Sequence, residues 1–165
     1  MPSDALFCTV FEFGELSAGM LQAGRSVRFK ARGSSMFPLV RDGDNLLVEP
    51  VEIASLRVGD ILLCSVQSDR VIVHRVVRRR KADGKFLLQG DRVSEPDGWI
   101  DSVHILGRVT EIERGGVHLP VSDPAGRFLA KCAVWKSRWQ LSRYPGFSIL
   151  GKGIKHLSLF GKYLN

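Results

Sequence analysis

The sequence contains no long apolar run. Its longest stretch without a charged side chain is nine residues, from Leu16 to Gly24, whereas a helix that crosses a bilayer needs about 20 predominantly apolar residues. The N-terminal residues also lack the basic segment of a secretory signal peptide and carry acidic side chains among the apolar ones. The sequence therefore predicts neither a membrane-spanning helix nor a signal peptide.

Cysteine is scarce as well. The three cysteines, Cys8, Cys64 and Cys132, are far apart and odd in number, so they do not predict a disulfide framework. No spacing of cysteine and histidine is typical of a zinc site. We expect free thiols, a reducing and therefore cytoplasmic compartment, and neither a metal nor another cofactor.

Acidic residues are missing from the C-terminal quarter of the chain. Residues 126–165 contain eight of the 24 Lys and Arg residues and no Asp or Glu, while residues 1–125 hold 16 basic and 17 acidic residues that nearly cancel. The length of 165 residues and the 44% of hydrophobic residues are enough for one domain with a core. We divide the chain into an N-terminal amphipathic helix (1–25), a β domain (26–125) and a basic, aromatic tail (126–165).

The hydrophobic period changes along the chain. A partial apolar stripe predicts a helix over residues 3–24, with Ser3 as its cap and Gly24 at its end. From Ser26 onward the period is two, and turns rich in Gly and Asp separate short β-branched runs. The predicted strands are 26–32, 45–51, 61–66, 71–77, 85–88 and 105–112. They predict a mainly β fold, a bent sheet or partial barrel, with a helix at the N-terminus and a helical basic tail.

The tail has an apolar stripe flanked by Lys and Arg on a helical projection. The stripe consists of Phe128, Cys132, Trp135 and Trp139. Aromatic rings bordered by cations fit an anionic membrane surface, and the protein would then be peripheral at the membrane face. The alternative is that this helix packs on its own domain and its charges are solvated. A second basic run, at residues 78–81, predicts a solvated turn and no nucleic-acid partner, because no recognition motif accompanies it.

Serine and histidine supply the parts of a nucleophilic site. Ser35 lies in a glycine-containing turn, where its oxygen would be exposed and backbone N–H groups could face a developing oxyanion. His74 lies in an apolar strand pattern, and histidine is the residue type best suited as a general base near neutral pH. A carboxylate must then hold the imidazole, and either Asp91 or Asp97 could reach it.

Six ordered motifs extend these residues over about half the chain, from residue 27 to residue 109. They are Gly33-Ser34-Ser35-Met36-Phe37-Pro38, Asp42-Gly43-Asp44, Gly59-Asp60-Ile61-Leu62, Val73-His74-Arg75-Val76, Gly90-Asp91 with Asp97, and Gly107-Arg108-Val109. Together they resemble the signal peptidase I superfamily, which includes the LexA-type self-cleaving repressors. Histidine in the fourth motif resembles the archaeal, eukaryotic and sporulation-type signal peptidases, which use Ser, His and Asp instead of a Ser/Lys dyad.

The resemblance implies a serine endopeptidase. Ser35 would be the nucleophile and His74 the general base. Asp97 would orient His74, with Asp91 supporting the site, and the Ser35 amide would donate to the oxyanion. Further contacts to the oxyanion and the substrate would come from four residues of the serine motif: Gly33, Ser34, Met36 and Pro38. Of these, Met36 and Pro38 would fix the turn and line a substrate pocket.

The sequence departs from the signal-peptidase pattern at three points. No transmembrane anchor precedes the serine motif, glycine occupies position 33 where serine is common, and Arg92 follows Gly90-Asp91 where asparagine is common. Two alternatives stay open. One is a catalytically silent module of the same fold that binds a peptide by strand addition. The other is a LexA-type self-processing regulator, since Ala18-Gly19 and Ala23-Gly24 resemble the Ala-Gly bonds cut in that group.

Overall fold

Two helices flank eight strands in the computed structural model of the chain, which describes residues 10–66 and 70–142. The elements are α1 (Val10–Gln22), β1 (Val27–Lys30), β2 (Asn45–Glu49), β3 (Ile61–Val66), β4 (Arg70–Arg80), β5 (Lys85–Gln89), β6 (Gly98–Ile100), β7 (Ile105–Arg114), β8 (Val117–Pro120) and α2 (Pro124–Ser142). The predicted mainly β fold with a helix on either side is confirmed. Among the residues described, no helix is long and apolar enough to cross a membrane.

The strands form one antiparallel sheet in the order β1-β2-β7-β3-β4-β5-β6, and β8 pairs with the end of β7. The pairing register shifts within three strand pairs, at Leu47/Val48, Leu63/Cys64 and Val76/Arg78. Such irregularities bend a strand and increase its local twist. The sheet therefore curls, and the ends of strands that are distant in sequence can face a common site.

The centre of the sheet is buried on both faces. Side chains of β3 alternate between two apolar clusters, with Ile61 and Leu63 on one face and Leu62 and Cys64 on the other, all inaccessible to solvent. Helix α1 covers the first face through Leu21. Because a strand buried on both faces tolerates little displacement, β3 and its partner β4 form a rigid base for side chains that β4 carries.

The predicted boundaries agree best with the observed ones in the strongly apolar strands. The strand predicted at 61–66 has those limits, and that predicted at 71–77 extends to Arg70–Arg80. The prediction missed β6 and β8, which have three and four residues and exist because they pair with longer neighbours. The first residues of the predicted helix 3–24 lie outside the described part, within which α1 begins at Val10.

Helix α2 packs on the domain through a small, polar face. Its Ser137 is 5% exposed and donates to Gln89 Oε1 at 2.6 Å. The aromatic residues predicted to form a stripe point away, and Phe128, Trp135 and Trp139 are 66%, 73% and 53% exposed. The helix thus makes its domain contact while the stripe stays open to solvent.

Two acidic residues of the Asp42-Gly43-Asp44 turn fasten the segment that holds Ser35. Asp42 Oδ1 accepts the N–H of Gly33 at 2.7 Å, before the serine. Asp44, 4% exposed, accepts the Arg41 N–H at 2.7 Å and two bonds from Arg114 of β7 at 2.6 and 2.9 Å. Asp42 thus closes the loop that contains the serine, and Asp44 fastens this loop to β7, a strand inside the sheet.

Because of the Asp44–Arg114 pair, the unfolding free energy should vary with pH in the acidic range. Burial alone would raise the pKa of Asp44, but the Arg114 hydrogen bonds and charge and the Arg41 amide hold it below its usual 3.8. A depressed carboxyl pKa contributes stability that is present above the unfolded-state pKa and is lost as pH falls through the folded one. We expect Asp44→Asn to lower the unfolding free energy by about 2 kcal/mol at pH 7.

The same variant should lose less at low pH, because the stability that the depressed pKa of Asp44 contributes declines once the pH falls below the unfolded-state pKa. Urea unfolding of both proteins at pH 7 and at pH 3 measures the two differences. A gap between parent and variant that is equally large at both pH values would contradict the assigned ionic contribution.

Candidate active site

Ser35, His74 and Asp97 lie in a hydrogen-bonded line. The Nε2 atom of His74 is 3.0 Å from Ser35 Oγ, and its Nδ1 atom is 2.5 Å from Asp97 Oδ2. His74 is 7% exposed, and its position in the middle of β4 fixes the imidazole between the turn and the loop after β5. The arrangement gives a hydroxyl, an imidazole that contacts it and a carboxylate that holds the other ring nitrogen, as nucleophilic catalysis by serine requires.

The turn around Ser35 presents the hydroxyl without burying it. Gly33 has a φ of +92°, a backbone conformation that side chains rarely adopt. Met36 is 4% exposed and belongs to the core cluster under α1, so its side chain anchors the turn. Ser34 and Pro38 are exposed beside Ser35, which is half-buried. Within the described residues the Ser35 N–H makes no hydrogen bond, and it is available to an oxyanion.

Asp91 occupies a different place from Asp97. Both carboxylate oxygens accept hydrogen bonds from Arg75, at 2.6 and 2.7 Å, and the same guanidinium donates to the Gly59 carbonyl at 2.8 Å. Arg75 is fully buried and the Asp91 side chain is 6% exposed. The structure thus places Asp97 on His74 and Asp91 on the neighbouring arginine, where it holds the loop after β5.

That loop lies directly against the serine turn. The Arg92 N–H donates to the Ser35 carbonyl at 2.8 Å. A β-carbon added at Gly90 would lie 2.8 Å from the same oxygen and 3.1 Å from His74 Nε2. Only glycine therefore allows the loop this close approach, which brings Asp97 to the histidine.

The model of the Peptidase S24-like family matches residues 12–110. The chain belongs to this family. The matched segment is more than half of the chain and contains the serine turn, β4 and the loop with both aspartates. No curated protein matches the sequence. Family membership gives the chain a serine-peptidase-type fold.

In the part of the chain that the structure describes, neither Cys64 nor a metal site competes with Ser35. Cys64 is buried in β3; burial and, to a smaller extent, the negative charge of Asp97 raise the pKa of its thiol. A thiol in that state is a poor nucleophile. In the described segments, no cluster of His, Cys, Asp and Glu could hold a metal ion.

One of the two Ala-Gly bonds that resemble self-cleavage sites lies in helix α1, and the other directly follows this helix. Ala18-Gly19 lies inside the helix. Ala23-Gly24 follows it as a hydrogen-bonded turn, in which the Ala23 N–H donates to Gly19 and the Gly24 N–H to Leu21. A segment in a helix or a hydrogen-bonded turn must unwind before a peptidase can bind it as an extended strand. Neither Ala-Gly bond is therefore presented to Ser35 in this conformation.

Sequence reasoning missed two positioning residues of this S24-like site. Arg75 lies in the Val73-His74-Arg75-Val76 motif, and a charge inside an apolar strand pattern next to His74 is the signal that could have pointed to it. Lys136 of α2 donates to the Asp91 carbonyl at 3.0 Å. Because 45 residues separate the two, no local pattern could have connected them.

Gly90→Ala is expected to slow acylation of Ser35 by a serine-directed probe about 100-fold, since a displacement of about 1 Å at a catalytic group can cost that much. Gly19→Ala is the matched control, because nothing lies within 4 Å of the added carbon. The control should keep the acylation rate and gain about 1 kcal/mol of helix stability. Stopped-flow acylation and urea unfolding give both values; a Gly90→Ala rate within twofold of the parent would refute the close-contact argument.

Proposed function

We propose that the protein is a serine endopeptidase of signal-peptidase type, which cleaves a peptide bond in a protein or leader peptide through acylation of Ser35. The observation that carries the proposal is the Asp97–His74–Ser35 line, with contacts of 2.5 and 3.0 Å. Membership of the Peptidase S24-like family supports it independently. A silent binding module would need none of these contacts, and in particular no part-buried carboxylate–imidazole pair.

In the first half of the reaction Ser35 Oγ attacks the scissile carbonyl carbon as His74 Nε2 takes the hydroxyl proton. The carbonyl oxygen becomes an oxyanion that the Ser35 N–H can stabilise. Asp97 holds the Nδ1–H tautomer and stabilises the imidazolium, without itself taking the proton. When the C–N bond breaks, His74 returns the proton to the leaving amine and an acyl-enzyme ester remains.

In the second half, water replaces the amine. His74 removes a proton from the water as its oxygen attacks the ester carbonyl, and the imidazolium then protonates Ser35 Oγ as the C–O bond breaks. The products are a new carboxyl terminus and the free enzyme. No cofactor is required at any step.

The substrate would bind as an extended strand. β1 is the first strand of the sheet order and leads from Val27 directly into the turn that carries Ser35. Edge strands accept peptides through main-chain hydrogen bonds. A peptide that adds to this edge would enter the site near the serine, which favours a protein substrate over a small molecule.

A fluorophosphonate probe tests the proposal. Peptide mass spectrometry of the labelled protein should find the adduct on Ser35, and Ser35→Ala should prevent it. Ser34→Ala is the matched control, since Ser34 is the exposed neighbour in the same turn, and it should leave labelling in place. Absence of a Ser35 adduct would favour the silent module.

Natural substrates can be identified by comparing new protein N-termini between cells with the parent protein and cells with the Ser35→Ala variant. Termini that depend on Ser35 identify the cleaved bonds. Cleavage of such a substrate by the purified Ser35→Ala protein would overturn the assignment of the nucleophile.

A further inference from the structure

Helix α2 exposes an aromatic face. It consists of Phe128, Trp135 and Trp139, which are 53–73% exposed although their side chains are large and hydrophobic. α2 itself contains no Asp or Glu, and it is about 28 Å long at 1.5 Å per residue. Large exposed aromatic residues on one side of a helix are unusual on a surface that meets only water.

A cationic groove runs along the same helix, between α2, the start of β3 and the middle of β7. Its volume is about 800 Å³. Its charged lining consists of five basic residues and one acidic residue: Arg57, Arg108, Arg127, Lys131, Arg138 and Asp60. Asp60 lies 3.9 Å from Arg108, so the positive charge of the other basic side chains is not balanced within the groove.

Part of the groove's lining is apolar. Val121, Ala130 and Val134 contribute to this part, and Trp135 belongs both to the groove and to the aromatic face. The combined surface therefore offers hydrocarbon contact and positive charge side by side. None of the groove residues is Ser35, His74 or Asp97, or hydrogen-bonds to one of them.

We propose that the aromatic face and the cationic groove form a docking surface for an anionic phospholipid bilayer. Trp and Phe insert at the headgroup level, with α2 lying in the plane of the interface. The basic side chains contact lipid phosphates, and their aliphatic stems cover the apolar surface beside the rings. The proposal is independent of the peptidase activity, because no residue of the surface takes part in it.

Complementary charge and an apolar part of the lining favour a bilayer over a nucleic acid. A nucleic acid needs rings interleaved with cations along a backbone track, whereas here the three rings share one side of α2 and the cations line the groove beside them. Docking would also place the site next to the membrane. Lys136 and Ser137 of α2 hydrogen-bond to Asp91 and Gln89, which flank Gly90 in the loop against Ser35.

The test is sedimentation of the full chain with vesicles of phosphatidylcholine, with and without 30 mol% phosphatidylglycerol. We expect binding to the anionic vesicles that weakens with salt. The variant Arg127→Gln/Lys131→Gln should bind them about 30-fold more weakly, since each cation near the surface contributes about 1 kcal/mol. Trp135→Ala should bind about tenfold more weakly.

The control variant Arg78→Gln/Lys81→Gln removes the same charge from two exposed positions, one in β4 and one in the turn after it, neither of which lines the groove. It should bind within twofold of the parent. Circular dichroism checks that every variant is folded. Three outcomes would overturn the proposal: no binding to anionic vesicles, equal loss in the helix and control variants, or full binding by the helix variants. Preferential binding of the same surface to single-stranded nucleic acid in competition with vesicles would overturn it as well.

Discussion

His74→Ala is expected to lower the rate constant for acylation of Ser35 by at least about 10⁴-fold. Without the imidazole, no group at 3.0 Å takes the proton of Ser35 Oγ, and a serine hydroxyl is a weak nucleophile when it keeps its proton. In serine peptidases, loss of the base removes nearly all of the contribution of the whole catalytic group. The rate of adduct formation with a fluorophosphonate probe, followed by intact-protein mass spectrometry, measures the effect.

Asp97→Asn should lower the same rate constant by about 10³- to 10⁴-fold. An amide can still bond to the imidazole, but it favours the wrong tautomer and does not stabilise the imidazolium. The loss should persist across the pH range in which the parent protein is active, because the missing carboxylate charge cannot be restored by titration of the variant side chain.

The chain contains its own matched control for these two variants. His118 also pairs with a carboxylate, at 2.8 Å from Glu111, on the exposed β7–β8 hairpin. His118→Ala should keep the acylation rate within twofold, and His74→Gln, which preserves side-chain volume better than alanine, should be as slow as His74→Ala. A His74 variant that acylates at more than one-tenth of the parent rate would remove this residue from the role of base.

The residues alone predicted a site of Ser35, His74 and either Asp91 or Asp97, and the family resemblance singled out Asp97. The local part of this site is the hairpin that follows His74. β4 and β5 form a hairpin in which Arg75 pairs with Gln89, so the residues just after β5 must lie beside His74. The Gly33 turn ends β1 and points the serine toward the sheet. Short-range turn chemistry and strand pairing are the signals that a sequence carries most clearly.

The sequence could not supply the contacts made across the fold. A helical projection showed that Phe128, Trp135 and Trp139 share one side of α2, but not whether this side faces the domain. The answer depends on the other side, where Ser137 bonds to Gln89, 48 residues earlier. Burial of Arg75 likewise depends on segments outside β4, those that carry Gly59 and Asp91, and no pattern within β4 shows that.

Arg75→Met is expected to lower the unfolding free energy by about 3–5 kcal/mol. The change leaves Asp91 with 6% exposure and without the two hydrogen bonds that compensate its buried charge, and breaking a buried ion pair on one side costs about that much. For a domain with a total of about 5–15 kcal/mol, this is a large fraction of its stability. Urea unfolding followed by tryptophan fluorescence measures it.

The double variant Arg75→Met/Asp91→Leu separates charge burial from loss of packing. It removes both charges, so it should recover most of the stability that Arg75→Met loses, since an apolar pair of similar volume can replace a buried ion pair at little cost. Arg28→Met, which breaks an exposed pair with Glu111 and Glu113 on β7, should cost only a small part of the Arg75→Met loss. Losses that simply add in the double variant would show that Arg75 and Asp91 do not act as a pair.

The double variant also shows whether the pair serves the chemistry. Asp91 adjoins Gly90, and the loop it anchors presses on the Ser35 carbonyl through Arg92. If the pair positions that loop, the folded double variant should still acylate Ser35 at least tenfold more slowly than the parent, with stability restored but the serine displaced. A double variant that regains both stability and rate would assign Arg75 and Asp91 to folding alone.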